Sequence, residues 1–108
     1  MPPMITPGTH MGKTTDGCNA DVKFIWNGGS TATLWTSKGD INLTGVQKQA
    51  DGTLTATGGS GKYNGWYGNL VDNDGNGKVF TLSTQGADGK FSFEADLKKG
   101  MDLTGKVS

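Results

Sequence analysis

The 108-residue sequence contains no arginine, one histidine, one cysteine and three prolines. Its hydrophobic fraction is only 32%, and its formal net charge is zero. Each scarcity excludes something. Nucleic-acid binding needs a positive stripe that displaces counterions from phosphates. Here ten lysines are balanced by ten acidic residues, with the two signs interspersed. Bidentate guanine readout also prefers arginine. A nucleic-acid partner is therefore not expected. No apolar run approaches the roughly 20 residues of a membrane helix, so helical membrane insertion is not expected either. Cys18 has no internal disulfide partner. No His or Arg flanks it to activate the thiol, and it reads as an ordinary small side chain near a strand start.

Catalytic constellations are missing for the same reason. His10 is the only imidazole, and it lies in a proline-rich stretch. No Ser-His-Asp or Cys-His arrangement is available, and no His/Cys cluster has zinc spacing. A carboxylate pair is conceivable among the acidic residues, for example Glu94 with a cross-strand Asp. Alternation puts Glu94 and Asp96 opposite Phe91 and Phe93, on the solvent side.

What the sequence does hold is glycine, 19 residues of it. Short segments with period-two alternation are cut by turn signals every eight to twelve residues or so, the pattern of an all-β barrel or sandwich. The expected strands are Val22–Trp26, Thr31–Thr36, Ile41–Gln47, Thr53–Thr57, Tyr63–Val71, Lys78–Thr84, Phe91–Leu97 and Met101–Val107. Gly58-Gly59-Ser60-Gly61 reads as a glycine-rich turn, and Asp72 to Gly77 as a loop. Asn-Gly and Asp-Gly steps suit two-residue hairpin loops, so neighbours are expected to pair antiparallel. The fold class is thus all-β, a small antiparallel barrel of about eight strands, with a compact sandwich as the alternative. One domain is expected over 16–108, preceded by a flexible tail over 1–15. Gly8-Thr9-His10-Met11 reads as a cloning junction, and no signal peptide is visible ahead of it. The Gly-, Thr-, Asn- and Asp-rich composition resembles secreted or cell-surface β-proteins.

Three features point to chemistry. Trp26 and Trp35 flank an expected hairpin turn, while Trp66 and Tyr67 are consecutive and so point to opposite faces. A flat ring can stack on a sugar, with amides and carboxylates taking its hydroxyls. The expected ligand-binding residues are Trp66, Tyr67, Trp35 and Tyr63 as stacking surfaces, with Asn64 and Asn69 as hydrogen-bonding partners. The second feature is Asp72-Asn73-Asp74-Gly75-Asn76-Gly77, the first half of a calcium loop. Asp72, Asp74 and Asn76 stand at its positions 1, 3 and 5, and Gly77 at the turn position. Position 12 is Ser83 rather than the bidentate Glu, so any calcium would be held weakly.

The third feature is Gly58-Gly59-Ser60-Gly61-Lys62-Tyr63-Asn64-Gly65-Trp66-Tyr67-Gly68. It is not a phosphate loop, which needs Gly-Lys-Ser/Thr followed by a helix. It resembles the turn and strand of the allene oxide cyclase and dirigent-like β-barrels. That resemblance implies an eight-stranded antiparallel barrel with an apolar cavity that binds or cyclises hydrophobic or phenolic molecules. It also implies a barrel-shaping role for Gly59, Gly61, Tyr63, Gly65 and Gly68.

Three functions follow as expectations. The first is a non-catalytic module that binds a small molecule or carbohydrate by Trp and Tyr stacking. The second is a cyclase- or isomerase-like barrel enzyme that works by holding its substrate in shape. The third is a structural or surface interaction protein. A hollow interior favours small-molecule binding or cyclisation. A filled interior with Trp66 or Tyr67 exposed favours sugar or protein binding.

Overall fold

The computed structural model describes residues 4–97 and 102–108. Among these the protein is all-β, with eleven strands and no helix. The strands are β1 (Gly8–Thr14), β2 (Asp21–Trp26), β3 (Thr31–Thr36), β4 (Gly39–Thr44), β5 (Gln47–Lys48), β6 (Leu54–Ala56), β7 (Gly58–Tyr63), β8 (Trp66–Asn69), β9 (Phe80–Leu82), β10 (Phe91–Ala95) and β11 (Leu103–Val107). They form one antiparallel sheet in the order β5-β6-β9-β10-β11-β1-β2-β3-β4-β7-β8, curled into a half-barrel.

The count of eight expected strands is corrected to eleven, for three reasons. First, the stretch expected as a tail supplies β1. It pairs with β2 from Gly8↔Trp26 to Lys13↔Asp21, and with β11 from Gly12↔Val107 to Thr14↔Gly105. The expected tail over 1–15 is therefore corrected for residues 8–14. The polar alternation of β1 suits a strand whose outer face meets water. Second, the expected glycine-rich turn is a strand, β7, paired with β4 through Ile41↔Gly61 and Leu43↔Gly59. Third, the expected strand Tyr63–Val71 is broken after Tyr63. Asn64 and Gly65 have φ of 52° and 84°. Two consecutive positive φ values make the turn that joins β7 to β8, with Tyr63 opposite Trp66.

Residues 39–63 form one long hairpin. In its near half β4 pairs with β7 and, on the other side, with β3; in its far half β6 pairs with β5 and, on the other side, with β9. The bend between the halves falls at Gly45, whose φ is 65°. An added Cβ there would strike Thr57 Oγ1. Alternation along each strand then points one set of side chains inward. Phe24, Leu34, Ile41, Leu43, Leu82, Leu97, Leu103, Val22 and Val107 are fully buried. Phe24 of β2 stacks on Phe80 of β9 with ring centroids 5.6 Å apart, and Phe80 meets Phe93 at 6.4 Å. These rings span the interior and tie one side of the curled sheet to the other. The expected inward sets Ile41/Leu43, Phe91/Phe93/Ala95/Leu97 and Leu103/Val107 are all buried. Met101, expected beside Leu103, lies outside the described residues.

Candidate functional site

The same alternation builds an outer face. Register places Tyr67 opposite Lys62 and Asn69 opposite Ser60 across β7–β8. Ser60 is opposite Asn42, Asn42 opposite Thr33, and Thr33 opposite Ile25. Trp35 is flanked by Asp40 on β4 and Lys23 on β2, and Lys23 by Met11 on β1. The three exposed large hydrophobics among the described residues are Met11, Ile25 and Tyr67. All three stand on this one face. Tyr67 is 80% exposed, which leaves most of its ring to water and open to a ligand.

Among the described residues, a groove of about 360 Å³ lies on the outer side of β9, β10 and β11, between Thr81, Ser92, Glu94, Thr104 and Lys106, and two more lie along β2, β3, β4, β7 and β8. One, of about 350 Å³, lies between Asp40, Asn42, Ser60, Lys62 and Tyr67. The other, of about 330 Å³, lies between Ile25, Asn27, Thr31, Thr33, Asn42 and Thr44. The interior is different. The gap bounded by Phe24, Leu43, Val46, Leu54 and Phe80 has no room for a water molecule.

The expected ligand-binding residues divide across the sheet. Tyr67, Trp35 and Asn69 share the outer face. The Lys23 ammonium lies 4.8 Å from the Trp35 ring, a cation–π contact that covers one face of the indole. Asn64 is an exposed turn residue. Trp66 and Tyr63 stand on the opposite, core side of the sheet. Trp66 is half-buried against the core and lies over Gly68, where an added Cβ would sit 3.2 Å from its ring. The residues that complete the outer face, Asp40, Asn42, Ser60, Lys62 and Thr33, were not among those expected. The nearness of Asp40, Asn42 and Thr33 to Tyr67 comes from the pairing of β4 with β7 across the intervening β5 and β6, which local spacing does not encode.

Tyr63 has a structural task. It is buried, and its hydroxyl donates to Asp16 Oδ2 at 2.9 Å. Burial and the Asp16 carboxylate push the phenol well above its ordinary range. Burial by itself would raise Asp16. The hydrogen bonds from the Cys18 amide, the Tyr63 hydroxyl and Thr14 together outweigh it and hold that carboxyl below its usual value. A depressed carboxylate stabilises the fold above its unfolded pKa, and the contribution fades as pH falls through the folded value. Tyr63→Phe is therefore expected to cost about 1 kcal/mol at neutral pH, discounted for the exposure of Asp16. Urea melts against pH check this: the gap to wild type narrows in strong acid.

The 72–77 loop, on the connection from β8 to β9, is exposed and caps itself. Asp72 accepts the Gly75 and Gly77 amides at 3.0 and 2.6 Å. Asp74 accepts the Asn76 amides, and Asn76 Oδ1 accepts the Lys78 amide. The Gly77 bond in particular holds Asp72 below the usual carboxylate range. Folding adds a residue that spacing did not suggest. Asp96, just past β10, brings a carboxylate oxygen within 4.8 Å of Asp72 and Asp74, and Glu94 and Asp102 flank it. Burial raises the Asp96 carboxyl, the Asn73 amide opposes this, and the charges of Asp102, Glu94 and Asp74 raise it further. A raised carboxyl means the folded state gains stability as pH falls through that value, and is penalised above it. Asp96→Asn is expected to raise the melting temperature at neutral pH by about 2–4 °C, from roughly 0.5 kcal/mol of relieved burial penalty and screened repulsion. Calorimetric scans at neutral and acid pH check it: the gain shrinks in acid.

Compared with known proteins, the chain matches no family model, no curated protein and no solved structure.

Proposed function

We propose that this is a non-catalytic carbohydrate-binding module whose ligand lies on the outer face of β2, β3, β4, β7 and β8. One observation carries the reading. A Tyr67 ring left 80% exposed by the fold stands at a groove edged by an amide, a hydroxyl, a carboxylate and an ammonium, Asn42, Ser60, Asp40 and Lys62. That is an apolar plane for the C–H side of a sugar, with donors and acceptors placed for its hydroxyls. Trp35 offers a second ring further along the same face. The cyclase-like reading needs a cavity that folds its substrate, and the packed interior gap supplies none.

The scaffold under the site is best read as a small barrel, with the bent 39–63 hairpin bridging its two sides. A secreted or surface location would suit a glycan binder of this composition. Calcium at Asp72, Asp74 and Asn76, with Asp96 as a further oxygen donor, would be a weak structural ion. A melting-temperature rise that needs millimolar calcium and disappears in Asp96→Asn supports it, and no shift leaves the loop a turn.

The test of the main reading is a glycan array followed by calorimetry on Tyr67→Ala. Loss of the ring is expected to weaken binding by about 2 kcal/mol, roughly thirtyfold. The melting temperature should hold, because an exposed side chain carries little of the fold. Full affinity in Tyr67→Ala would remove the site from this face.

A further inference from the structure

We propose that the ligand is an extended, neutral glycan chain lying across the strands, and that Asn42 joins its two halves. The inference rests on the carbohydrate reading and specifies its ligand. The two grooves lie end to end and share one side chain, Asn42. Register runs Asn69, Ser60, Asn42, Thr33, Ile25 in one row across β8, β7, β4, β3 and β2. Four strand spacings make that row about 19 Å long. A single sugar ring would use one groove and leave the other empty.

The chemistry along the row repeats. Each step offers an amide or hydroxyl until the row ends on the exposed, apolar Ile25. The Thr33 hydroxyl donates to Asn42 Oδ1 at 3.5 Å, and the Asn42 NH₂ has no protein partner among the described residues. That donor sits where the grooves meet. Ser60 and Asn69 side chains likewise make no hydrogen bond among the described residues, so they are free for ligand hydroxyls.

Charge complementarity selects a neutral ligand. Lys13 is paired with Asp21 at 2.6 Å on the rim. Lys23 is engaged with the Trp35 ring. Lys62 and Asp40 line the same groove and offset one another. Uronate or sulfate chains would need an uncompensated positive row, which this face does not present.

The experiment titrates the whole protein with linear glucan, mannan and xylan oligomers, from disaccharide to octasaccharide, by calorimetry. For the series that binds, affinity is expected to climb at least about tenfold from disaccharide to tetrasaccharide, the length the row spans, and then level off. Asn42→Ala should weaken every oligomer, the disaccharide included, because Asn42 lines both grooves, and should abolish the gain with length. Thr33→Ala, in the far groove, should reduce the gain as well, and melting curves confirm that both variants fold. A Tyr67-dependent disaccharide affinity that does not grow with length overturns this inference and leaves the carbohydrate reading standing. Tighter, salt-sensitive binding of uronate or sulfated oligomers overturns its neutral ligand. No binding to any oligomer, together with a dimer in sedimentation that Tyr67→Ala disrupts, overturns both readings and assigns the face to a second copy of the chain.

Discussion

Gly61→Ala, a change of one methyl group, is expected to cost about 3 kcal/mol or more. The cause is local geometry. Gly61 of β7 lies opposite Ile41 of β4. A Cβ built there would strike the Asp40 carbonyl oxygen and come within 2.6 Å of the Ile41 Cα. Both obstacles are backbone, and backbone in a paired strand cannot step aside as the tip of a side chain can. Gly59, two residues earlier on the same side, would meet the Asn42 carbonyl oxygen at 2.7 Å. The seam between β4 and β7 therefore closes because glycine occupies the inner side of β7. Moving the strands apart would also move Lys62 and Ser60 relative to Asp40 and Asn42, which is the wall of the proposed site. Thermal melts should show a drop of roughly 12–20 °C for Gly61→Ala. Gly75→Ala is the internal control. Its φ of 75° disfavours a side chain, but nothing lies within 4 Å. It should lose only about 1 kcal/mol. Equal, small losses at both positions would show that the seam is slack.

These glycines also explain how far the sequence could be read. Alternation of large apolar residues marked β2, β3, β4 and β10 well, because Phe24, Leu34, Ile41 and Phe93 announce their own inner face. β7 carries its inner face on Gly59, Gly61 and Tyr63. A strand whose inward positions are hydrogen atoms has no hydrophobic period to detect, and it reads as a turn. Its true turn, Asn64-Gly65, was visible as a two-residue hairpin signal, but it sat inside a stretch that aromatic residues made look continuous. The cost passed to the site. Tyr67 was legible as a ring that must face outward if Trp66 faces inward. Asn42 and Ser60 were not, because their nearness to Tyr67 depends on the non-sequential pairing of β4 with β7. Asp96 joined Asp72 and Asp74 for the same kind of reason. The chain near Leu70 bridges Leu97, a contact that local spacing cannot encode.

The second large effect concerns the interior. Phe24→Ala is expected to cost about 3–5 kcal/mol, and to lower the melting temperature by roughly 15–25 °C. Phe24 is fully buried in β2, yet its nearest ring is Phe80 of β9, stacked at 5.6 Å, and Phe80 passes the contact on to Phe93 of β10. Removing the first ring strips packing from the span that holds the curled sheet together. It also enlarges the gap bounded by Leu43, Val46, Leu54 and Phe80, which in the wild type excludes even water. An apolar cavity of this kind tends to stay dry and to accept small apolar molecules. The variant therefore separates two ideas of where a ligand goes. Below its melting temperature, Phe24→Ala should bind glycan with wild-type affinity through Tyr67 on the far side of the sheet. It should also gain a benzene-sized apolar site that the wild type lacks, visible as a melting-temperature rise in the presence of benzene. If the folded variant instead loses its glycan, the ligand must reach the interior, and the outer face is not the binding surface.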